Sequence, residues 1–292
     1  MKRQLFLGIG VQKCATTWLY DILIDHPDLT LSKQKEVDFF SYHFGRGFQW
    51  YERQFPPSAL DQLIGEISPS YFIDANVPER LHAYAPGVKL LVSLRDPIER
   101  AMSNHRHEVR LGNFCGDDLS FTAGLANNPL YVEQSRYGKH LQRWLQHFPA
   151  SQLLILFQED IDREPTAVAR QVYEFLGIYT DHVSTAVQGR SNESHVYRYR
   201  FIERVRKASR NAARTLRVDG LWRAAQHMGL QSLYRRLNRR PPEAQIPRVS
   251  AAQRQQLRLL LEDDIGLVEK ITGRQLPYWR QERTPEQTSH DQ

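Results

Sequence analysis

Near the start of the chain an apolar run, Leu5 to Val11, breaks at Gln12-Lys13 and gives way to Trp18, Leu19, Ile22 and Leu23, spaced as one face of a helix. A run that short and that apolar reads as a buried strand. Between strand and helix lie Gln12, Lys13, Cys14, Ala15, Thr16 and Thr17. Strand, short loop and helix N-terminus together present free backbone N–H groups and the positive end of a helix dipole, an arrangement that holds a phosphate. Lys13 adds a point charge, and Thr16 or Thr17 a hydroxyl donor. The loop departs from the nucleotide-triphosphate pattern G-x-x-x-x-G-K-[ST], because its lysine comes early and no Gly-Lys-Ser/Thr ends it. An ordinary β–α turn with a surface lysine is the competing reading, and the loop alone does not choose.

The alternation continues. Apolar runs at 63–67, 88–94 and 152–157 read as strands, and Val77 to Tyr84, Ile98 to Arg110, Tyr131 to Phe148 and Pro165 to Leu176 as helices. Strand and helix in turn imply a parallel α/β sheet. Asn113 to Pro129 reads as a mobile polar loop, and Gln158 to Asp160 as another. Ser250 to Thr272 reads as a last helix, with Ser250 as its N-cap and Leu257, Leu260, Leu261, Ile265 and Val268 on one face. Pro277-Tyr278-Trp279 reads as an aromatic anchor. The expectation is one domain over residues 1–281, with a core at about 4–180, a helical C-terminal subregion at about 198–281, and a disordered tail at 282–292.

Hydrophobic residues make up 41% of the 292 and charged residues 25%, which indicates a soluble globular chain. Cys14 and Cys115 supply neither a disulfide framework nor a metal pattern. Cys14 reads as a small neutral loop residue with a useful N–H, not a nucleophile. Lys2-Arg3 and the run after it resemble a signal peptide only briefly, since the run holds two glycines and meets Gln12-Lys13 instead of a cleavage site. A bacterial-type cytoplasmic location is expected.

The net charge of +6 is unevenly placed: residues 198–240 hold thirteen Lys or Arg against Glu203 and Asp219, and the remainder holds 26 basic and 31 acidic residues. That basic segment suits a solvated helix face or a lid over a ligand. It also suits peripheral contact with an anionic membrane face or a polyanion. No reading-helix or stacking-strand signature accompanies it, so nucleic acid is not an expected partner.

Two further stretches bear chemistry. In Lys35-Glu36-Val37-Asp38-Phe39-Phe40 a carboxylate sits beside a cation and aromatic rings, where a base is positioned and tuned; the start of an amphipathic helix is the alternative. Phe48, Trp50, Tyr51 and Phe55 form either a helix face against the core or a wall facing a substrate. Arg95 follows the strand at 88–94, at the edge where open α/β sheets bind ligands; an ion pair with Asp96 or Glu99 is the alternative.

Taken in order, Gln12-Lys13-Cys14-Ala15-Thr16-Thr17, Lys35 to Phe40, Gly65-Glu66-Ile67-Ser68-Pro69-Ser70-Tyr71-Phe72, Leu94-Arg95-Asp96-Pro97 through Asn104, and Tyr137 to Pro149 resemble the sulfotransferases that use 3′-phosphoadenosine 5′-phosphosulfate (PAPS). The resemblance is to the heparan-sulfate-type branch and its bacterial relatives. It implies a P-loop-like three-layer α/β fold, with a central, mainly parallel sheet flanked by helices and a helical C-terminal region. It implies PAPS as donor, held at its 5′ end by Lys13, Cys14, Ala15, Thr16 and Thr17 and at its 3′-phosphate by Arg95 and Ser103. Arg190 joins this set through Gly189-Arg190-Ser191-Asn192, which resembles bacterial members more loosely. Glu36 is the implied base, assisted by Lys13 and Lys35, with no metal. His43, His105 and His107 are weaker candidates for the base. The implied acceptor is a small molecule or glycan, first a sugar hydroxyl, then a lipid or secondary metabolite. One departure stands out: related heparan-type enzymes often carry a lysine where Ile67 stands, so Lys33 or Lys35 substitutes or the acceptor differs. A P-loop kinase and a non-catalytic polyanion- or membrane-binding protein are the competing classes.

Overall fold

The structure is a computed structural model and describes residues 4–56, 62–111, 113–114, 119–188, 196–197, 239–240, 247 and 249–281. Arg190 with its Gly189–Asn192 neighbourhood, Cys115, nearly all of the basic segment and the 282–292 tail lie outside the described residues. The chain divides into two compact units, residues 1–104, 128–192 and 250–292 in one and residues 105–127 and 193–249 in the other.

In order, the elements are β1 (Leu5–Gly10), α1 (Thr16–Ile24), β2 (Leu29–Leu31), α2 (Phe48–Glu52), β3 (Leu63–Ile67), α3 (Val77–Tyr84), β4 (Lys89–Leu94), α4 (Pro97–Leu111), α5 (Phe121–Asn127), α6 (Leu130–Glu133), α7 (Tyr137–Leu145), β5 (Leu153–Phe157), α8 (Gln158–Arg163), α9 (Pro165–Leu176), β6 (Val196–Tyr197), β7 (Arg239–Arg240), α10 (Ala251–Thr272) and α11 (Pro277–Arg280). The first unit is built on a five-stranded sheet in the order β2-β3-β1-β4-β5. Every neighbouring pair in it is parallel. The second unit holds the last turns of α4, α5 and the antiparallel pair β6–β7; there His105 packs its ring against Phe114 and Phe121.

Period-two alternation sorts the strand side chains into two cores, one on each sheet face. Leu5, Leu7 and Ile9 of β1 and Leu90, Val92 and Leu94 of β4 join α3, α7, α10 and α11 on one face. Phe6 and Leu91 join α1 and α9 on the other. Burial on both faces is why these strands read as unbroken apolar runs. Gly65 of β3 is needed here, because a Cβ on it would lie 2.3 Å from the Phe6 ring.

Three sequence expectations are corrected. Tyr131 to Phe148 is not one helix: α6 and α7 are separated at 134–136, where the buried Arg100 takes the Gln134 and Ser135 side chains and the Tyr131 carbonyl. Those bonds satisfy a guanidinium that would otherwise be stranded, and the turn they need interrupts the helix. The stretches expected as loops contain α5 and α8. On α10, Leu260 is half exposed, because Arg258 and Asp264 complete the buried arc with Leu257, Leu261, Ile265 and Val268. Asp264 accepts from the Gly138 and Lys139 N–H groups and so caps α7. Ser250 does cap α10, in a reciprocal box with Gln253, and Trp279 is wholly buried, as an anchor requires.

Gly65→Ala should destabilise the fold by about 1–3 kcal/mol through overpacking, read by urea unfolding. Phe6→Leu in the same chain should recover part of the loss; no recovery would mean that the glycine serves another purpose.

Candidate active site

Sheet order places the site. β1 is central, with β3 on one side and β4 on the other. The segments after these three strands therefore leave the same carboxyl edge side by side, where the order reverses and open α/β sheets take their ligands. The loop after β1 holds Lys13 and Ala15 at φ 73° and 55°, both left-handed. Alternation of this kind turns successive N–H groups toward one concavity suited to an anion. No side chain caps α1 and no acid sits in its first turn, so its leading N–H groups keep their capacity for a ligand.

Thr16 is buried. The Thr17 hydroxyl accepts from Lys35 Nζ at 2.9 Å, which leaves its own proton to donate. Lys35 Nζ also lies 3.5 Å from Glu36 Oε1. Thr17, Lys35 and Glu36 thus form one chain of contacts, leading from the helix N-terminus to a half-exposed carboxylate. Lys33, by contrast, donates to the Arg53 carbonyl and is exposed. Ile67 is wholly buried in the core beside α1. Of the two lysines weighed as substitutes for a cation at that position, Lys35 is the one that reaches the loop.

Cys14 faces inward, with Sγ 3.6 Å from the Tyr137 hydroxyl. Burial pushes its thiol up to about 12, so it is neutral and unsuited to nucleophilic work. The Arg100 and Arg95 charges act on it in the opposite sense, which brings Arg95 within electrostatic range of the β1 loop. Arg95 leaves the end of β4, and among the described residues it has no hydrogen-bond or ion-pair partner. The carboxylates that might have neutralised it are engaged: Asp96 Oδ1 accepts from the Ile98 and Glu99 N–H groups, and Glu99 pairs with Arg254 at 2.6 Å. Ser103 stands two turns into α4, partly buried.

The three histidines are engaged in packing or hydrogen bonds. His105 is buried, its ring engaged with the Leu119 carbonyl, and burial lowers its pKa. His107 lies 2.5 Å from an Arg110 nitrogen. His43 packs edge-on against Trp50. The aromatic stretch serves both readings. Tyr51 and Phe55 are core, whereas Phe48 stacks on Tyr84 with an exposed face and Tyr42 is largely open.

One residue quoted only within a motif emerges as central. Glu66 is fully buried on β3. Its Oε1 accepts from the Tyr71 hydroxyl and its Oε2 from the Ser68 hydroxyl, each at 2.7 Å. Burial raises its pKa to about 7, and those hydrogen bonds restrain the rise. The signal for it in the sequence was a carboxylate inside an otherwise apolar strand.

The site thus combines uncapped N–H groups at a helix N-terminus, an arginine after β4 with no hydrogen-bond or ion-pair partner among the described residues, and a carboxylate beside a lysine. The sulfotransferase-domain family profile matches residues 3–208, and the chain belongs to that family. It is 34% identical over 178 residues to heparan sulfate glucosamine 3-O-sulfotransferase 3B1 of Mus musculus, covering 58% of this chain and 45% of that protein. To heparan sulfate glucosamine 3-O-sulfotransferase 6 of Homo sapiens it is 33% identical over 179 residues, covering 59% and 52%. The chain thus spans about half the length of the curated relatives it matches. In fold it is similar to a sulfotransferase from Alicyclobacillus acidocaldarius, with a TM-score of 0.70 at 22% identity over 96% of this chain and 100% of that one. The expected P-loop-like three-layer fold is the one observed.

Because the folded pKa of Glu66 lies above the 4.5 of an ordinary glutamate, the folded state binds more protons than the unfolded one between those values. Stability should therefore fall as pH rises from about 4.5 through about 7. Glu66→Gln should flatten this limb of a urea-unfolding series, and an unchanged slope would show that another group dominates it.

Proposed function

We propose that this protein transfers the sulfuryl group of PAPS to an acceptor hydroxyl or amine, on a carbohydrate or glycan. The observation that carries the reading is the chain Thr17–Lys35–Glu36 set against the left-handed loop of Lys13 and Ala15. The donor set fits the cofactor: an N–H concavity and Lys13 suit a 5′-phosphosulfate, and Arg95, with no acceptor among the described residues, suits a remote 3′-phosphate together with Ser103. Lys13, Thr17 and the N–H groups of α1 would stabilise charge at the 5′ end, where the leaving phosphate oxygen becomes more negative. Glu36 would take the acceptor's proton. Lys35 would orient Thr17 and shield charge between the loop and Glu36. Positioning and charge stabilisation would carry most of the rate, as in phosphoryl transfer.

The names of the relatives in the heparan sulfate 3-O-sulfotransferase group support a glycan acceptor. An acceptor of low negative charge suits this chain better than a polyanion. Ile67 supplies no cation, and the exposed Tyr42 beside the base loop lies in the field of both Asp38 and Asp74.

Calorimetric titration with adenosine 3′,5′-bisphosphate should show binding that weakens at least tenfold in Arg95→Ala and when the 3′-phosphate is omitted. Equal affinity without that phosphate would reject the reading. Lys13→Ala should slow transfer of labelled sulfate from PAPS by about 100-fold or more. Glu36→Gln should bind the bisphosphate normally while losing turnover, and retained turnover would exclude Glu36 as the base.

A further inference from the structure

The loop that bears Glu36 is held in an unfavourable backbone conformation. Glu36 and Asp38, neither of them glycine, have φ of 63° and 52°. L-residues avoid that region, and two such residues within three positions persist only where their surroundings over-determine them. What restrains this loop is the segment that follows β3. The Glu36 N–H donates to the Ile67 carbonyl at 3.1 Å. The Asp38 N–H donates to Ser68 Oγ at 3.0 Å. The Phe39 and Phe40 N–H groups both donate to the Tyr71 hydroxyl oxygen, at 2.9 and 3.4 Å. Asp38 Oδ1 accepts from Ser70 Oγ at 2.5 Å.

A hydroxyl carries one proton, so Ser68 and Tyr71 accept these loop amides best when their own protons point elsewhere. Both point at Glu66. Its two oxygens take one hydroxyl each, and in its ionised form, which prevails above about pH 7, the carboxylate has only acceptors to offer. Glu66 therefore sets the direction of both hydroxyls at once, and through them the positions of three consecutive backbone amides just beyond Glu36.

We infer that Glu66 is a positioning residue for transfer: through Ser68 and Tyr71 it locks the 36–40 loop in its left-handed path and holds the Glu36 carboxylate against Lys35. The inference rests on Glu36 being the base. It accounts for a carboxylate buried among Tyr51, Tyr71 and the sheet core, a placement that costs stability and that a hydrophobic residue would avoid. A glutamine at 66 could not replace it, since its single carbonyl oxygen accepts and its amide donates. One of the two hydroxyls would then have to turn and compete with a loop amide.

Steady-state kinetics on Tyr71→Phe, Ser68→Ala, Glu66→Gln and Glu36→Gln, each beside bisphosphate titration and a melting curve, test this. Tyr71→Phe and Glu66→Gln should lower kcat at least tenfold while bisphosphate affinity and KM for PAPS stay within twofold. In the Glu36→Gln background the same changes should cost less than a further twofold, because the positioned group is already gone. If Tyr71→Phe does not fold, Ser68→Ala gives the same reading through the other hydroxyl. A merely structural role would lower the melting temperature and leave kcat per folded molecule within twofold, and that result overturns the inference. Turnover retained in Glu36→Gln overturns the base assignment and this inference with it; turnover lost there but kept in Tyr71→Phe and Ser68→Ala overturns the inference alone.

Discussion

The parallel pairing of β1 with β3 on one side and β4 on the other is the constraint on which the rest depends. Three strands that run the same way and lie side by side must release their following segments at one edge. Residues distant in the sequence meet there without any long loop to carry them: Lys13 after β1, Ser68 and Tyr71 after β3, and Arg95 after β4. The pairing is held by burial on both faces, and the close approach of Phe6 over Gly65 shows how little slack it has. Moving the register of β1 by one residue would turn Phe6 into the other core and carry the loop after β1 with it.

A second dependence runs through the polar interior. A sheet interior this apolar tolerates a carboxylate only when its oxygens are bonded. Glu66 meets that condition with two hydroxyls that are themselves engaged with the loop of Glu36. Arg100, in the first turn of α4, meets it with the turn between α6 and α7. Each buried charge thus draws a surface segment into a defined path. The first is the loop of the proposed base. The second includes Tyr131 and Ser135, ahead of the Tyr137 that contacts the buried Cys14 of the loop after β1.

The resemblance to sulfotransferases was legible because the motif segments at 12–17, 35–40, 65–72 and 94–104 stand in order, and the family profile covers all of them. The strands and most helices were legible from apolar period. The misread parts share a cause. The break at 134–136 depends on Arg100, some thirty-five positions earlier, and no local pattern announces it. Leu260 continues an apolar spacing that the helix spends on Arg258 and Asp264 instead. The role of Glu66 lay in hydrogen bonds to residues that look unremarkable in sequence, Ser68 and Tyr71, whose other bonds reach back thirty positions.

The sequence by itself determined that the first loop ends a buried strand and opens a helix, and that its lysine comes too early for a triphosphate seat. Both follow from local spacing and residue chemistry. Only the tertiary structure decided which lysine attends Thr17, that Asp96 and Glu99 are spent elsewhere and leave Arg95 unpaired among the described residues, and that Glu36 sits on a left-handed turn held from β3. These are matters of which donor finds which acceptor. Such pairings are set by distances across a folded sheet, and residues tens of positions apart carry no record of them in their order along the chain.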